Sequence, residues 1–330
     1  MKYLLYTAIA IGLFCSCSEQ DSLTVNDNQV RTPLQVVSAG LNPDLQIVTR
    51  VAPEPVALNS GEIGIFLEGK QMDENGSSVI AQYADINNRK YTASTGTWGP
   101  AVASEMIYLF GTDASVCAYY PYHSSAEYGN KAAIPLQTQD YKKDDANSEA
   151  ADLYYSLGGV VNGYNPKISF ELVHAYSMLE LQIKRENYPQ QCVIGNITLQ
   201  NTQLARTGTM NISTDGSVTV TTTADFSFSD LPYTLGSDAT YTCNALIVPC
   251  ELADNASDAT NGLTISLTVD GQTMQVSLPK SELPAFRQGE KYTIGLKIKG
   301  KELNLDAVTA TPWEVSIVGS NKYVPKPVLP

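Results

Sequence analysis

The stretch Leu263-Thr264-Ile265-Ser266-Leu267-Thr268-Val269-Asp270-Gly271-Gln272-Thr273-Met274-Gln275-Val276-Ser277-Leu278 decides the fold class. Apolar and polar residues alternate before the Asp-Gly pair. Successive side chains of a strand point to opposite faces, so a period of two is the mark of a half-buried strand. Asp-Gly between two such runs is a strong hairpin signal, because the tight turn needs positive φ at both central positions. The reading is a β-hairpin.

The same texture continues outward. Tyr292-Thr293-Ile294-Gly295-Leu296-Lys297-Ile298 alternates, as do Ile168-Ser169-Phe170-Glu171-Leu172 and Met178-Leu179-Glu180-Leu181-Gln182-Ile183. Residues 193–199, 218–222 and 246–248 are further strands. Nearer the start, Ile63-Gly64-Ile65-Phe66-Leu67 reads as a compact buried strand, followed by an Asp73-Glu74-Asn75-Gly76 turn. Residues 34–37, 45–49, 106–110 and 116–120 are short runs of the same kind, and Pro121 stops the last of them. Residues 137–151 are polar and aperiodic and read as a long surface loop. Residues 148–156 have the composition of a short helical turn. No segment sustains a 3.6-residue period. Many short strands at this spacing imply an all-β protein built of β-sandwiches.

The N-terminus carries an address. Lys2 precedes an apolar run from residue 4 to residue 14. That run has the length of a signal-peptide core and is too short to span a bilayer of about 30 Å. Cys15-Ser16-Cys17 follows. A lipoprotein signal needs a small residue before the modified cysteine, which selects Cys17, preceded by Ser16, over Cys15, preceded by Phe14. Residues 1–16 are then signal and Cys17 is the lipidated N-terminus of the mature protein. Several acyl chains on one cysteine hold firmly where a single chain does not. The remainder exceeds the roughly 250–300 residues at which single cores stop growing, so two domains are expected, 17–168 and 169–330.

Other classes of function find little support. The formal net charge of −13 opposes nucleic-acid binding, which needs a basic surface. The two histidines, His123 and His174, sit in no metal motif, and packing is the expected role of each. There is no phosphate-cradling glycine loop and no G-x-S-x-G elbow. The acidic residues Asp140, Asp144, Asp145, Glu149 and Asp152 lack the ligand spacing of a calcium loop and read as solvated. No cofactor, metal or catalytic residue is expected. Cys117 reads as a buried thiol, and a Cys243–Cys250 bridge would strain the strand between them. The nineteen tyrosines suit either core packing or exposed contacts with protein or glycan. Trp98, in Gly96-Thr97-Trp98-Gly99-Pro100, reads as loop-borne.

Several pieces in order resemble the fimbrillin family of Bacteroidales, the subunits of type V pili. They are the lipoprotein start; Thr49-Arg50 ahead of Gly61-Glu62-Ile63-Gly64-Ile65-Phe66; Ala118-Tyr119-Tyr120-Pro121-Tyr122; Asp152-Leu153-Tyr154-Tyr155; Ile168 through Leu179; Leu246-Ile247-Val248-Pro249; Phe286-Arg287-Gln288-Gly289-Glu290-Lys291-Tyr292; and Thr311-Pro312-Trp313. The resemblance implies two tandem transthyretin-like β-sandwich domains. It also implies surface display on the outer membrane through the lipid anchor, and assembly by donor-strand exchange. In that mechanism a trypsin-like processing protease cuts after an arginine, here Arg50. The first strand, between Arg31 and Thr49, leaves and opens a groove. The C-terminal strand of another pilus subunit fills it, here from residues 306–318 with Trp313, Val315 and Ile317 on one face. Stalk subunits are cut, whereas anchor subunits keep the first strand and the lipid. The competing expectation is a non-polymerising surface lipoprotein that binds glycans or host proteins through Trp98 and residues 119–122.

Overall fold

The computed structural model describes residues 30–41, 56–69, 83, 86–143, 145–253, 261–318 and 322–326. It is almost wholly β. The hairpin that opened the sequence reading is present: Asn261–Val269 pairs antiparallel with Gln272–Pro279, and Val269 faces Gln272 across the turn. Asp270 and Gly271 take φ of 46° and 77°, the left-handed values that a tight turn matched to strand twist demands.

Two β assemblies account for most of the chain. The first is an eight-stranded sheet. From one end its strands are Val56–Ala57, Gln35–Leu41, Lys167–His174, Tyr154–Val161, Ala114–Tyr120, Gly61–Gly69, Arg89–Ser94 and Thr97–Pro100. The sheet curls until Gln35–Leu41, near one end, lies against Thr97–Pro100 at the other. The enclosed core holds Ile63, Ile65, Leu67, Val116, Ala118, Phe170 and Leu172.

The second assembly is a sandwich. One sheet runs Gln139–Tyr141, Thr240–Ile247, Ser177–Glu186, Glu290–Lys299 and Glu302–Pro312; the other is built on Val193–Gln200, Asn261–Val269 and Gln272–Pro279. Leu179, Leu181, Ile183, Ile294, Leu296 and Ile298 meet Ile197, Leu199, Ile265 and Leu267 in its core. The chain passes from the eight-stranded sheet to this one between His174 and Ser177. Residue 168 lies inside the strand Lys167–His174.

A third core lies between the assemblies, and strand periodicity produces it. Phe66, Cys117 and Tyr119 alternate with residues of the first core and point the other way. Met178 and Leu246 do the same from the second assembly. All of these close on Ile134, Leu136, Met210 and Trp313. This explains why Ile63-Gly64-Ile65-Phe66-Leu67 reads as continuously apolar: both faces of the strand are covered.

Three expectations need correction. Residues 137–151 do not form a surface loop. Gln139–Tyr141 is the edge strand of the second assembly, facing Asn244 to Leu246, and Ala146–Ala151 is a helix capped by the Asp145 carboxylate on the amides of Asn147 and Ser148. Three residues cannot display a period, so long-range pairing alone makes that strand. Trp98 is not loop-borne: it lies in the strand Thr97–Pro100 at 8% exposure. The acidic residues are not solvated as a group. Asp145 caps the helix, Asp140 accepts from the Ser229 amide at 2.8 Å, and Asp152 is buried; Asp144 lies outside the described residues.

Candidate functional site

The first strand is held by its own side chains and by one long partner. Thr32 and Pro33 pair with Leu109 and Tyr108, and the Leu34 amide donates to the Ile107 carbonyl at 2.9 Å. Gln35–Leu41 then runs parallel to Lys167–His174, from Gln35 opposite Lys167 to Leu41 opposite Leu172. The register shifts between Ile168 and Ser169, which leaves Val37 as an extra residue pointing out, 57% exposed. Leu34, Val36, Ala39 and Leu41 are buried in the first core. Burial of each large member is worth about 1.5–3 kcal/mol.

The dependence runs both ways. Lys167–His174 has Tyr154–Val161 on its other side, but that ladder joins only Val173 and His174 to Tyr155 and Tyr154. Residues 167–172 therefore take their strand pairing from Gln35–Leu41. Removing the first strand would leave six residues of unpaired backbone beside an apolar trench containing Phe170 and Leu172, an edge suited to receiving another strand. Beyond the first strand, among the described residues, Val56 and Ala57 pair with Leu41 and Gly40, and the Leu58 amide donates to the Ala39 carbonyl at 2.8 Å. Arg50, the expected cleavage position, and Cys17, the expected lipidation site, lie outside the described residues, as does the 45–49 run.

The C-terminal end comes to the same region. Glu302–Pro312 is the edge strand of the second assembly, paired along its length with Glu290–Lys299. The Trp313 amide donates to the Gly289 carbonyl at 2.7 Å and the indole is fully buried. Glu314–Val318 follows and pairs with Lys322–Lys326, Val315 facing Pro325. This strand lies beside Val56–Ala57, the pair that flanks the first strand at Gly40 and Leu41. Of the three expected donor residues, Val315 and Ile317 are in the strand, and Trp313 stands before it as a core residue.

What holds Trp313 is a buried polar cluster that sequence reasoning missed. The indole stacks on the His174 ring, centroids 3.6 Å apart and planes 8° from parallel. His174 Nδ1 is 3.3 Å from Asp152 Oδ1, and the Tyr154 hydroxyl donates to Asp152 Oδ2 at 2.9 Å. Tyr154 also packs on His174 at 4.2 Å. Burial, with the Asp152 charge beside it, pushes the Tyr154 phenol well above its ordinary pKa. His174 Nε2 and Trp313 Nε1 are buried and have no hydrogen-bond partner among the described residues. The histidine is packed as expected, with a hydrogen-bond partner at one ring nitrogen. Asp152 and His174 are too far apart in sequence, and in too ordinary a context, to signal the pair.

The other candidate residues serve packing. His123 stacks on Tyr128 at 4.2 Å, and its backbone carbonyl accepts from the Tyr119 hydroxyl at 3.0 Å. Burial lowers its pKa, which keeps the ring neutral near pH 7. Tyr83, Tyr91, Tyr119, Tyr154 and Tyr176 are core residues, so much of the tyrosine is structural. Cys117, Cys192, Cys243 and Cys250 are free thiols, and burial pushes Cys117 up to about 12. Among the described residues no group of three or more His, Cys, Asp or Glu is placed to hold a metal.

A family model described as fimbrillin-like matches residues 49–313 of this chain. Among curated proteins, none matches. Solved structures do. A candidate cell adhesion protein from Bacteroides ovatus superposes with a TM-score of 0.58 at 14% identity, over 87% of this chain and 99% of that one. A second, from Bacteroides uniformis, gives 0.52 at 20% identity, over 86% and 98%. The fimbrial anchor protein Mfa2 from Porphyromonas gingivalis gives 0.40 at 12% identity, over 85% and 98%. At these identities the likeness is one of fold.

Proposed function

Because this chain belongs to the fimbrillin-like family, we propose that it is a structural subunit of a cell-surface pilus, exported as a lipoprotein through Cys17 and assembled by donor-strand exchange. One observation supports the assembly step above the rest. Residues 167–172 depend for their pairing on a first strand that lies N-terminal to Arg50. Cleavage after Arg50 would cut the covalent link between that strand and the body of the protein. The strand's own side chains and hydrogen bonds would then be all that retains it. A second subunit's C-terminal strand, drawn from residues 306–318, would take its place by the same backbone pairing. The partners are other pilus subunits, the processing protease and, through the lipid, the outer membrane. Two tandem transthyretin-like sandwiches meeting between His174 and Ser177 are the organisation this reading uses.

Two experiments test it. Incubation with a trypsin-like protease, read by intact mass, is expected to yield a new N-terminus at Val51 and higher oligomers in size exclusion. Arg50→Ala should abolish both. A chain that stays uncut and lipidated would act as an anchor, and a chain cut elsewhere would refute the assigned arginine. Membrane fractionation of Cys17→Ala should find the protein released; retention in the outer membrane would refute the lipid anchor.

A further inference from the structure

The strand that accepts residues 35–41 ends on the residue that holds Trp313. Lys167–Leu172 pairs with the first strand. Two residues further, His174 stacks face to face on the indole, and the next residue after that indole begins the strand Glu314–Val318. The last turn of this connection is stiff. His174 is fully buried and braced by Asp152 and Tyr154, and apart from Gln35–Leu41 the backbone of its strand is paired, among the described residues, only at Val173 and His174.

We infer that the Trp313–His174 stack couples the two ends of the chain, so that loss of the first strand loosens the hold on Trp313 and frees the C-terminal strand. The inference rests on the donor-strand reading for its use but not for its physics. Removing residues 35–41 strips the pairing from six of the eight residues in Lys167–His174. The freed residues can then pivot about the ladder that remains at Val173 and His174, and a tilt of that end shifts the His174 ring against the indole. A face-to-face stack at 3.6 Å tolerates little displacement before its contacts are lost. Neither His174 Nε2 nor Trp313 Nε1 makes a hydrogen bond among the described residues. Exposing Trp313 Nε1 and His174 Nε2 to water would offset part of the cost of unstacking. In the intact subunit the C-terminal strand is thus retained, and in the opened one it becomes available. Coupling of this kind is reciprocal: weakening the stack must equally loosen the first strand.

The chain's two tryptophans make the test direct. Labelled with 5-fluorotryptophan, the protein gives one fluorine resonance for Trp98 and one for Trp313, assigned with Trp98→Phe. A protease site inserted within residues 42–55 allows the first strand to be released without cleavage at Arg50. A failure of natural processing therefore does not enter the result. Trp98 reports that the strand has left, because its strand lies against Gln35–Leu41. Trp313 is expected to gain a solvent isotope shift on release and to lose it when a peptide of residues 30–41 is added back. A Trp313 resonance that stays solvent-protected while that of Trp98 changes would overturn the inference.

The reciprocal arm uses the intact chain. In Trp313→Phe and His174→Gln, amide exchange across residues 32–41 is expected to accelerate about fivefold or more, the low end of measured couplings, while residues 263–278 keep their protection. Unchanged exchange at 32–41, or an equal acceleration at 263–278, would refute the coupling.

Discussion

Asp270 does two jobs in the turn that first revealed the fold. Its backbone adopts φ of 46°, which Asn and Asp tolerate better than most residues. Its carboxylate accepts from the amides of Val193 (2.9 Å) and Cys192 (3.1 Å) and from the Tyr188 hydroxyl (2.8 Å). These bonds, that from Val193 foremost, hold its pKa below the ordinary carboxylate value. A depressed folded pKa contributes stability that is present above the unfolded value of about 3.9 and lost as pH falls through the folded value. Asp270→Asn keeps the turn and is expected to flatten this acid-side loss; Asp270→Ala is expected to lower the melting temperature further, through lost bonds and strain. Thermal melts from pH 2 to 7 check both. Gly64 is a second residue-scale case. A Cβ there would lie 2.2 Å from Tyr119 Cε1, and that ring is pinned by hydrogen bonds to Asn88 (2.7 Å) and His123 (3.0 Å). Gly64→Ala is expected to cost about 1–3 kcal/mol by overpacking, measured as a lower denaturant midpoint.

At the scale of elements, the first strand fills a core and, on the donor-strand proposal, is also the part that leaves. Leu41 is fully buried and Val37 is 57% exposed, although both lie in one strand. Leu41→Ala is expected to lose about 2–5 kcal/mol, and Val37→Ala to stay within about 0.5 kcal/mol. Equal effects in urea unfolding would contradict the assigned register. Elements were legible in proportion to their own periodicity. Residues 263–269, 272–278, 168–172 and 292–298 lie within observed strands. In Thr240–Ile247 only the part from Leu246 onward reads as strand, because Thr240-Tyr241-Thr242-Cys243-Asn244 shows no apolar face; its pairing with Ser177–Glu186 supplies what composition does not. Tyr154–Val161 and Ala205–Asn211 give no strand signal for related reasons, being interrupted by glycine and by bulges. The candidate site was legible as two ends of a chain but not as a junction. Trp313 reads as the first residue of an alternating strand; only the packing of three cores shows it stacked on His174.

At the scale of the whole molecule, donor-strand exchange as proposed would free one strand and keep the rest closed. The net charge of −13 makes copies repel, and screening shortens that repulsion from about 30 Å at 0.01 M salt to about 8 Å at 0.15 M. Assembly after cleavage should therefore quicken as salt rises over this range, measured by light scattering. The most direct test of the central claim is electron microscopy of the protease-treated chain beside a version ending at Trp313. Fibres from the full chain and none from the shortened one are the expected result. Fibres from both, or a full chain that loses its first strand and remains monomeric, would contradict the account.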